Sequence, residues 1–189
     1  AFPLRHNLDG ELKTVDEGWM EGLFPGRSTV RVEDGVAYLD KGQDMTGITW
    51  RGPLVRMNYE ITLEAMRVEG SDFFCGLTFP YGDSVCSFIV GGWGGTCVGI
   101  SSVDYYDAYN NETAEFRKFE LGEWYKIRVR VTPDKIECWI DDDQLVDLTT
   151  TDRIISIRWE MSDIVPFGIA TWQTTGAIRN VELKKLDDK

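Results

Sequence analysis

The chain has 189 residues, with 20 Lys and Arg against 32 Asp and Glu, a net charge of −12 and a pI near 4.5. Such a charge repels phosphate backbones and anionic headgroups, and the basic runs at 126–130 and 184–185 are too short to form a patch, so no nucleic acid partner is expected. No apolar run approaches the roughly 20 residues of a membrane-spanning helix, so no membrane insertion is expected. With 42 % hydrophobic residues, the composition is that of one globular domain large enough to fold without a metal or disulfide framework.

Residues 1–26 predict an irregular or short helical lead-in. Within it, 12–23 mixes helix formers at an amphipathic spacing that Gly18 and Gly22 interrupt. The chain begins at Ala1 without Met, as after removal of a signal peptide or a trimmed start. From 27 to 186 a single domain is expected, dominated by period-two alternation. Segments 29–32 and 36–39 flank Asp34-Gly35, a hairpin signal because Gly accepts the positive φ of a tight turn. Further strands are expected at 57–68, 72–79, 85–90, 97–101, 124–131, 136–140, 145–148, 167–172 and 177–186. Short strands at this spacing, punctuated by Gly, Pro, Asn and Asp, predict an all-β, two-sheet antiparallel sandwich or barrel. Asp141-Asp142-Asp143 reads as a turn, and 102–114 as a loop longer than a hairpin needs, of the kind that carries function.

The four cysteines, Cys75, Cys86, Cys97 and Cys138, lack the C-x-x-C spacing of zinc or redox sites. Cys75 and Cys86 flank a turn-like segment and suit either a cross-strand disulfide or, as the favoured reading, buried free thiols. The single histidine, His6, lies in the lead-in, and no G-x-S-x-G elbow occurs, which argues against a nucleophilic triad.

Carboxylates and aromatics carry the remaining chemistry. In Tyr59-Glu60-Ile61-Thr62-Leu63-Glu64-Ala65 the alternation puts Glu60, Thr62 and Glu64 on one strand face, an expected catalytic pair. The two glutamates stand about 13 Å apart at ~3.3 Å per residue, whereas a retaining glycosidase pair needs about 5–5.5 Å. Asp104, Asp107 and Asn110 in the long loop offer hard oxygen ligands for calcium, without the register of a recognised calcium loop. Trp93, set among glycines in Gly91–Gly95, together with Tyr105, Tyr106, Tyr109 and Trp172, suits the apolar face of a sugar. Trp50, Trp124, Trp139 and Trp159 read as core residues.

The block GSDFFCGLTFPYGDSVCSFIVGGWGGTCVG at 70–99, with GEWYKIRVRVTPDKIECWIDDDQLVD and PFGIATWQTTGAIRNVELKKL further on, resembles exported bacterial proteins, notably from planctomycetes. These look like members of the concanavalin A-like jelly-roll superfamily, near the 3-keto-disaccharide hydrolase domain family and the laminin-G-like domains. The strand carrying Glu60 and Glu64 also resembles the Glu-x-Asp-x-Glu strand of jelly-roll β-glucanases, with Thr62 at the Asp position. The resemblance implies a secreted or periplasmic two-sheet jelly roll with a carbohydrate as partner, and some relatives bind calcium. Asp72 and Asp83 are the acids nearest the segment that corresponds to the hydrolases' site. Two functions follow as expectations: cleavage of a glycosidic bond, or non-catalytic binding and adhesion as in laminin-G-like domains.

Overall fold

The structure is a computed structural model, in which residues 18–186 are described. Among the described residues, fourteen strands form two seven-stranded antiparallel sheets. In chain order they are β1 (Trp19–Glu21), β2 (Val30–Glu33), β3 (Val36–Leu39), β4 (Met45–Trp50), β5 (Tyr59–Glu69), β6 (Cys75–Tyr81) and β7 (Ser84–Gly92). After these come β8 (Cys97–Ser101), β9 (Glu115–Phe116), β10 (Trp124–Thr132), β11 (Lys135–Ile140), β12 (Asp143–Thr149), β13 (Gly168–Trp172) and β14 (Thr175–Lys185). The front sheet runs β1-β4-β13-β6-β7-β8-β9 and the back sheet β12-β11-β10-β5-β14-β3-β2.

The alternation read from the sequence decides which side chains fill the space between the sheets. Tyr59, Ile61, Leu63 and Ala65 of β5 and Ile127, Val129 and Val131 of β10 point inward from the back sheet. They meet Leu77 and Phe79 of β6, Phe88 and Val90 of β7, and Ile169 of β13. Burial of this continuous layer holds the sandwich together. The outer side of the front sheet is not bare either. A 3-10 helix, Trp159–Ile164, lies on it, and Phe24, Met45, Met161, Ile164 and Ala170 form a second apolar cluster there. Gly76 on β6 permits this cover, since a Cβ at that position would stand 2.9 Å from the Phe73 ring and 3.2 Å from Met161 Cε.

Several expectations are corrected. Of the segment 12–23 expected to be helical, the described part is a strand, Trp19–Glu21, paired with β4, while 12–17 and His6 lie outside the described residues. Strands β1, β4 and β9 were not anticipated; β4 reads MTGITW and is buried on both faces, so it has no polar phase to alternate with. All four cysteines are free and buried. Cys86 pairs across the hairpin with Phe79 and Cys75 with Val90, so the disulfide alternative fails on register. The acidic turn is confined to 141–142, and Asp143 opens β12.

Candidate functional site

The site is organised by a charged residue in the core phase of a strand. Continuing the inward series 59, 61, 63, 65 along β5 brings Arg67 inward, only 5 % exposed. Burial lowers its pKa, and its guanidinium is satisfied by backbone carbonyls: Asp72 O (2.9 and 3.2 Å), Gly91 O (3.1 Å), Gly95 O (3.0 Å) and Phe119 O (3.3 Å). A Cβ at Gly91 would stand 2.6 Å from Arg67 Nη2, so glycine is what lets the backbone approach the cation. One side chain thereby fixes the turn before β6, the Gly91–Gly95 turn carrying Trp93, and the segment before β10.

Asp72 completes this junction. Its carboxylate accepts the Phe73 N–H (2.8 Å) and the Gly94 N–H (3.2 Å), and its own N–H donates to Thr174 Oγ1 (3.1 Å). Trp172 N–H donates to Phe73 O (3.0 Å), tying the end of β13 to the same turn. Trp93, Asp72 and Trp172 are remote in sequence and converge here.

They line a cavity of about 280 Å³ on the outer side of the front sheet, with Met45, Phe73, Ile89 and Met161 as apolar wall. Its polar groups are Asp72, Ser101, Arg158 and Glu160. The Arg158 guanidinium donates to both Glu160 oxygens (2.9 and 3.3 Å) and to Asp107 Oδ2 (3.3 Å). These bonds hold Glu160 below the usual carboxylate range and raise Arg158, so both are charged at neutral pH. Ser101 is different: it is 2 % exposed, and its Oγ has no hydrogen-bond partner. A buried hydroxyl left unpaired costs about 1–3 kcal/mol.

Of the residues expected from sequence, Trp93, Trp172 and Asp72 are thus brought together. Tyr109 joins their rim, its ring centroid 6.2 Å from that of Trp93. Tyr105 and Tyr106 are exposed at 77 % and 61 %, and neither lines the cavity. Asp83 is exposed in the turn after β6, at the opposite end of that strand from Asp72. Glu60 and Glu64 do share one face, but it is the outer face of the back sheet, with the sandwich core between them and Trp93. Glu60 is paired with Arg130 (3.1 Å) and Arg128 (3.6 Å), and Glu64 with Arg179 (3.2 Å). A second recess of about 480 Å³ lies on that face beside Glu64, Lys126 and Arg128.

The loop acids are also engaged by arginines. Asp104 accepts the Ile154 N–H (2.9 Å) and pairs with Arg153 (2.7 Å), and Arg153 also grips Glu112. Asp107 is bound by Arg158 and by Asn110. Among the described residues no group of three or more His, Cys, Asp or Glu side chains is placed to hold a metal ion, so the calcium expected at Asp104, Asp107 and Asn110 meets arginine-bound carboxylates. Three of the four tryptophans read as core are corrected. Trp159 is 81 % exposed beside the cavity, and Trp124 and Trp139 lie on the back face under Arg179 and Arg128, each guanidinium 3.9 Å from the ring centroid. Arg67, Ser101, Arg158 and Glu160 were not anticipated. For Arg67 a signal existed: it is a charge in the apolar phase of a strand.

Comparison with known proteins agrees with this architecture. The carbohydrate-binding module CBM66 from Bacillus subtilis superposes with a TM-score of 0.55 at 12 % identity, over 89 % of this chain and 96 % of that one. A laminarinase from Flavobacterium sp. UMI-01 gives 0.62 at 10 % identity, over 96 % and 97 %. Crh5 transglycosylase in complex with NAG gives 0.61 at 11 % identity, over 95 % and 83 %. At these identities the likeness establishes the fold, a concanavalin A-like jelly roll. No curated protein matches the sequence. The model of the 3-keto-alpha-glucoside-1,2-lyase-like domain matches residues 8–184, and the chain belongs to that family.

Proposed function

We propose that this member of the family binds one ring of a glycoside in the front-sheet cavity, the ring packed between the Trp93 and Trp172 sides and hydrogen-bonded by Ser101, Arg158 and Asp72. The observation that carries the reading is the buried Ser101 hydroxyl, unpartnered in a cavity that joins an apolar wall and two tryptophans to a few charged groups. Sugars need this pairing of an apolar surface with a few fixed polar groups. The test is calorimetric titration with methyl α-glucoside and its C3-oxidised form, repeated on Ser101→Ala. Binding should weaken roughly tenfold while thermal stability holds or rises, because the substitution removes an unpaired hydroxyl. Binding unchanged in the variant, or a lowered stability with unaltered affinity, refutes it.

A second reading, turnover by elimination, is favoured by two carboxylates and a guanidinium lining one cavity together with the family's description. A ketone at C3 acidifies the C2–H. A carboxylate, Asp72 in this proposal, takes that proton; the electrons form the C1–C2 double bond; and the C1–O bond breaks, its oxygen leaving with a proton from water. Arg158 stabilises the negative charge that develops on the ketone oxygen. Exchange of the C2 hydrogen in deuterated water, lost in Asp72→Asn, checks the step. Binding without exchange identifies a binding module instead.

A further inference from the structure

The cavity rim continues outward as a row of exposed rings. Trp93 at the rim is followed by Tyr109, centroids 6.2 Å apart, and Tyr109 by Phe116 at 5.8 Å. These rings are 38 %, 50 % and 60 % exposed. Scattered exposed aromatics need no explanation, but three in contact, beginning at a cavity, do.

The row is also held still. Tyr109 sits on a turn that Asp107 closes by accepting from the Asn110 N–H (3.1 Å) and side-chain amide (2.8 Å). Asn111 donates to Ile100 O (2.7 Å), Tyr106 O (3.0 Å) and Asp107 O (2.9 Å), stitching the loop to β8, and its Oδ1 accepts the Thr113 N–H (2.9 Å). Phe116 belongs to β9, the edge strand paired to β8. Asp107 is bonded as well to Arg158, which lines the cavity, so the loop and the cavity share one ion pair. Rings fixed before binding lose little freedom when a ligand arrives, which is the condition under which exposed aromatics contribute affinity.

Resting on the proposed cavity reading, we infer that Tyr109 and Phe116 form a second subsite, taking the unit attached to the ring in the cavity. The ligand is therefore an uncharged glycoside of at least two rings. A neutral ligand is indicated because the chain carries a net charge of −12, which disfavours an anionic one. In the elimination reading, the second subsite holds the departing unit.

Two ligands separate the alternatives: methyl α-glucoside oxidised at C3, with one ring, and maltose oxidised at C3 of its non-reducing ring, with two. The variants are Tyr109→Ala with Phe116→Ala, Tyr109→Phe, and Leu121→Ala as an exposed apolar control that is not one of the contacting rings. The double variant should raise the Kd of the two-ring ligand about tenfold and leave that of the one-ring ligand unchanged, with Tyr109→Phe and Leu121→Ala close to the parent. Equal weakening of both ligands, or no change in either, overturns the second subsite while the cavity reading stands. If neither ligand binds the parent protein, the cavity reading and the subsite both fail.

Discussion

Replacing Arg67 by Met keeps the length and the apolar stem but removes every donor. The guanidinium makes five hydrogen bonds to four carbonyls, Asp72, Gly91, Gly95 and Phe119. A buried acceptor stripped of its donor costs about 1–3 kcal/mol. Opposing this, the variant no longer buries a charge, and burial already works against the cation enough to lower its pKa. Some of the carbonyls sit in turns where water can replace the donor, so a net loss of roughly 3–5 kcal/mol is expected. For a chain of this size that corresponds to a fall in Tm of about 10 °C. Differential scanning calorimetry measures it, and tryptophan fluorescence reports the loosening of the Trp93 turn. Lys at this position has three donors without the planar fork and should recover less than half of the loss. A fall of under about 2 °C for Arg67→Met, with unchanged emission, would falsify the view that this side chain holds the site together.

Three further outcomes are expected. Burial pushes the thiol of Cys75 up to about 12 and that of Cys97 to about 11, and raises Cys86 and Cys138 as well; a thiol reagent at pH 8 should label none in the native protein and all four in denaturant, whereas two in denaturant would indicate a disulfide. Gly76→Ala places a Cβ 2.9 Å from Phe73 and 3.2 Å from Met161; overpacking of about 1–3 kcal/mol should lower Tm by several degrees and weaken ligand binding at the displaced wall, and an unshifted Tm would show that the cover does not rest on the sheet. Glu160 and Glu112 are lowered by Arg158 and Arg153 respectively. Their folded pKa values lie below the unfolded ones, so this contribution to stability is complete above the ordinary glutamate value near 4.3 and is lost as pH falls through the folded values. Arg153→Gln should flatten the acid limb of the stability profile, and an unchanged acid limb would contradict the pairing.

Most of the strand content was written locally. Where one face of a strand is buried and the other wet, as in 59–65 or 124–131, alternation appears in the residue order itself and names the inward side chains. The Asp34-Gly35 turn was legible for the same reason: Asp34 and Gly35 both adopt positive φ, which glycine accepts and which Asp tolerates better than most side chains. Strand β4 was not legible, because burial on both faces erases the alternation.

The candidate site divides along a similar line. Sequence marked Trp93, Trp172 and Asp72 individually, since a tryptophan among glycines and an acid beside a strand are visible as residue types. It also placed Glu60 and Glu64 on one face correctly, as period two requires. Alternation says which residues share a face; it does not say which sheet the strand joins, nor which outer surface its face becomes. That choice was made by pairing partners remote in sequence: β5 between β14 and β10 put Glu64 against Arg179, 115 residues away, and Glu60 against Arg128 and Arg130, and β13 between β4 and β6 brought Trp172 to Asp72. The charge of −12, fixed by composition, set the expectation against polyanions, while its local effect was set by the fold, which neutralises Asp104, Asp107, Glu60 and Glu64 with arginines remote in sequence. Only the tertiary structure could leave Ser101 buried without a partner, because a hydroxyl is unsatisfied by virtue of everything packed around it.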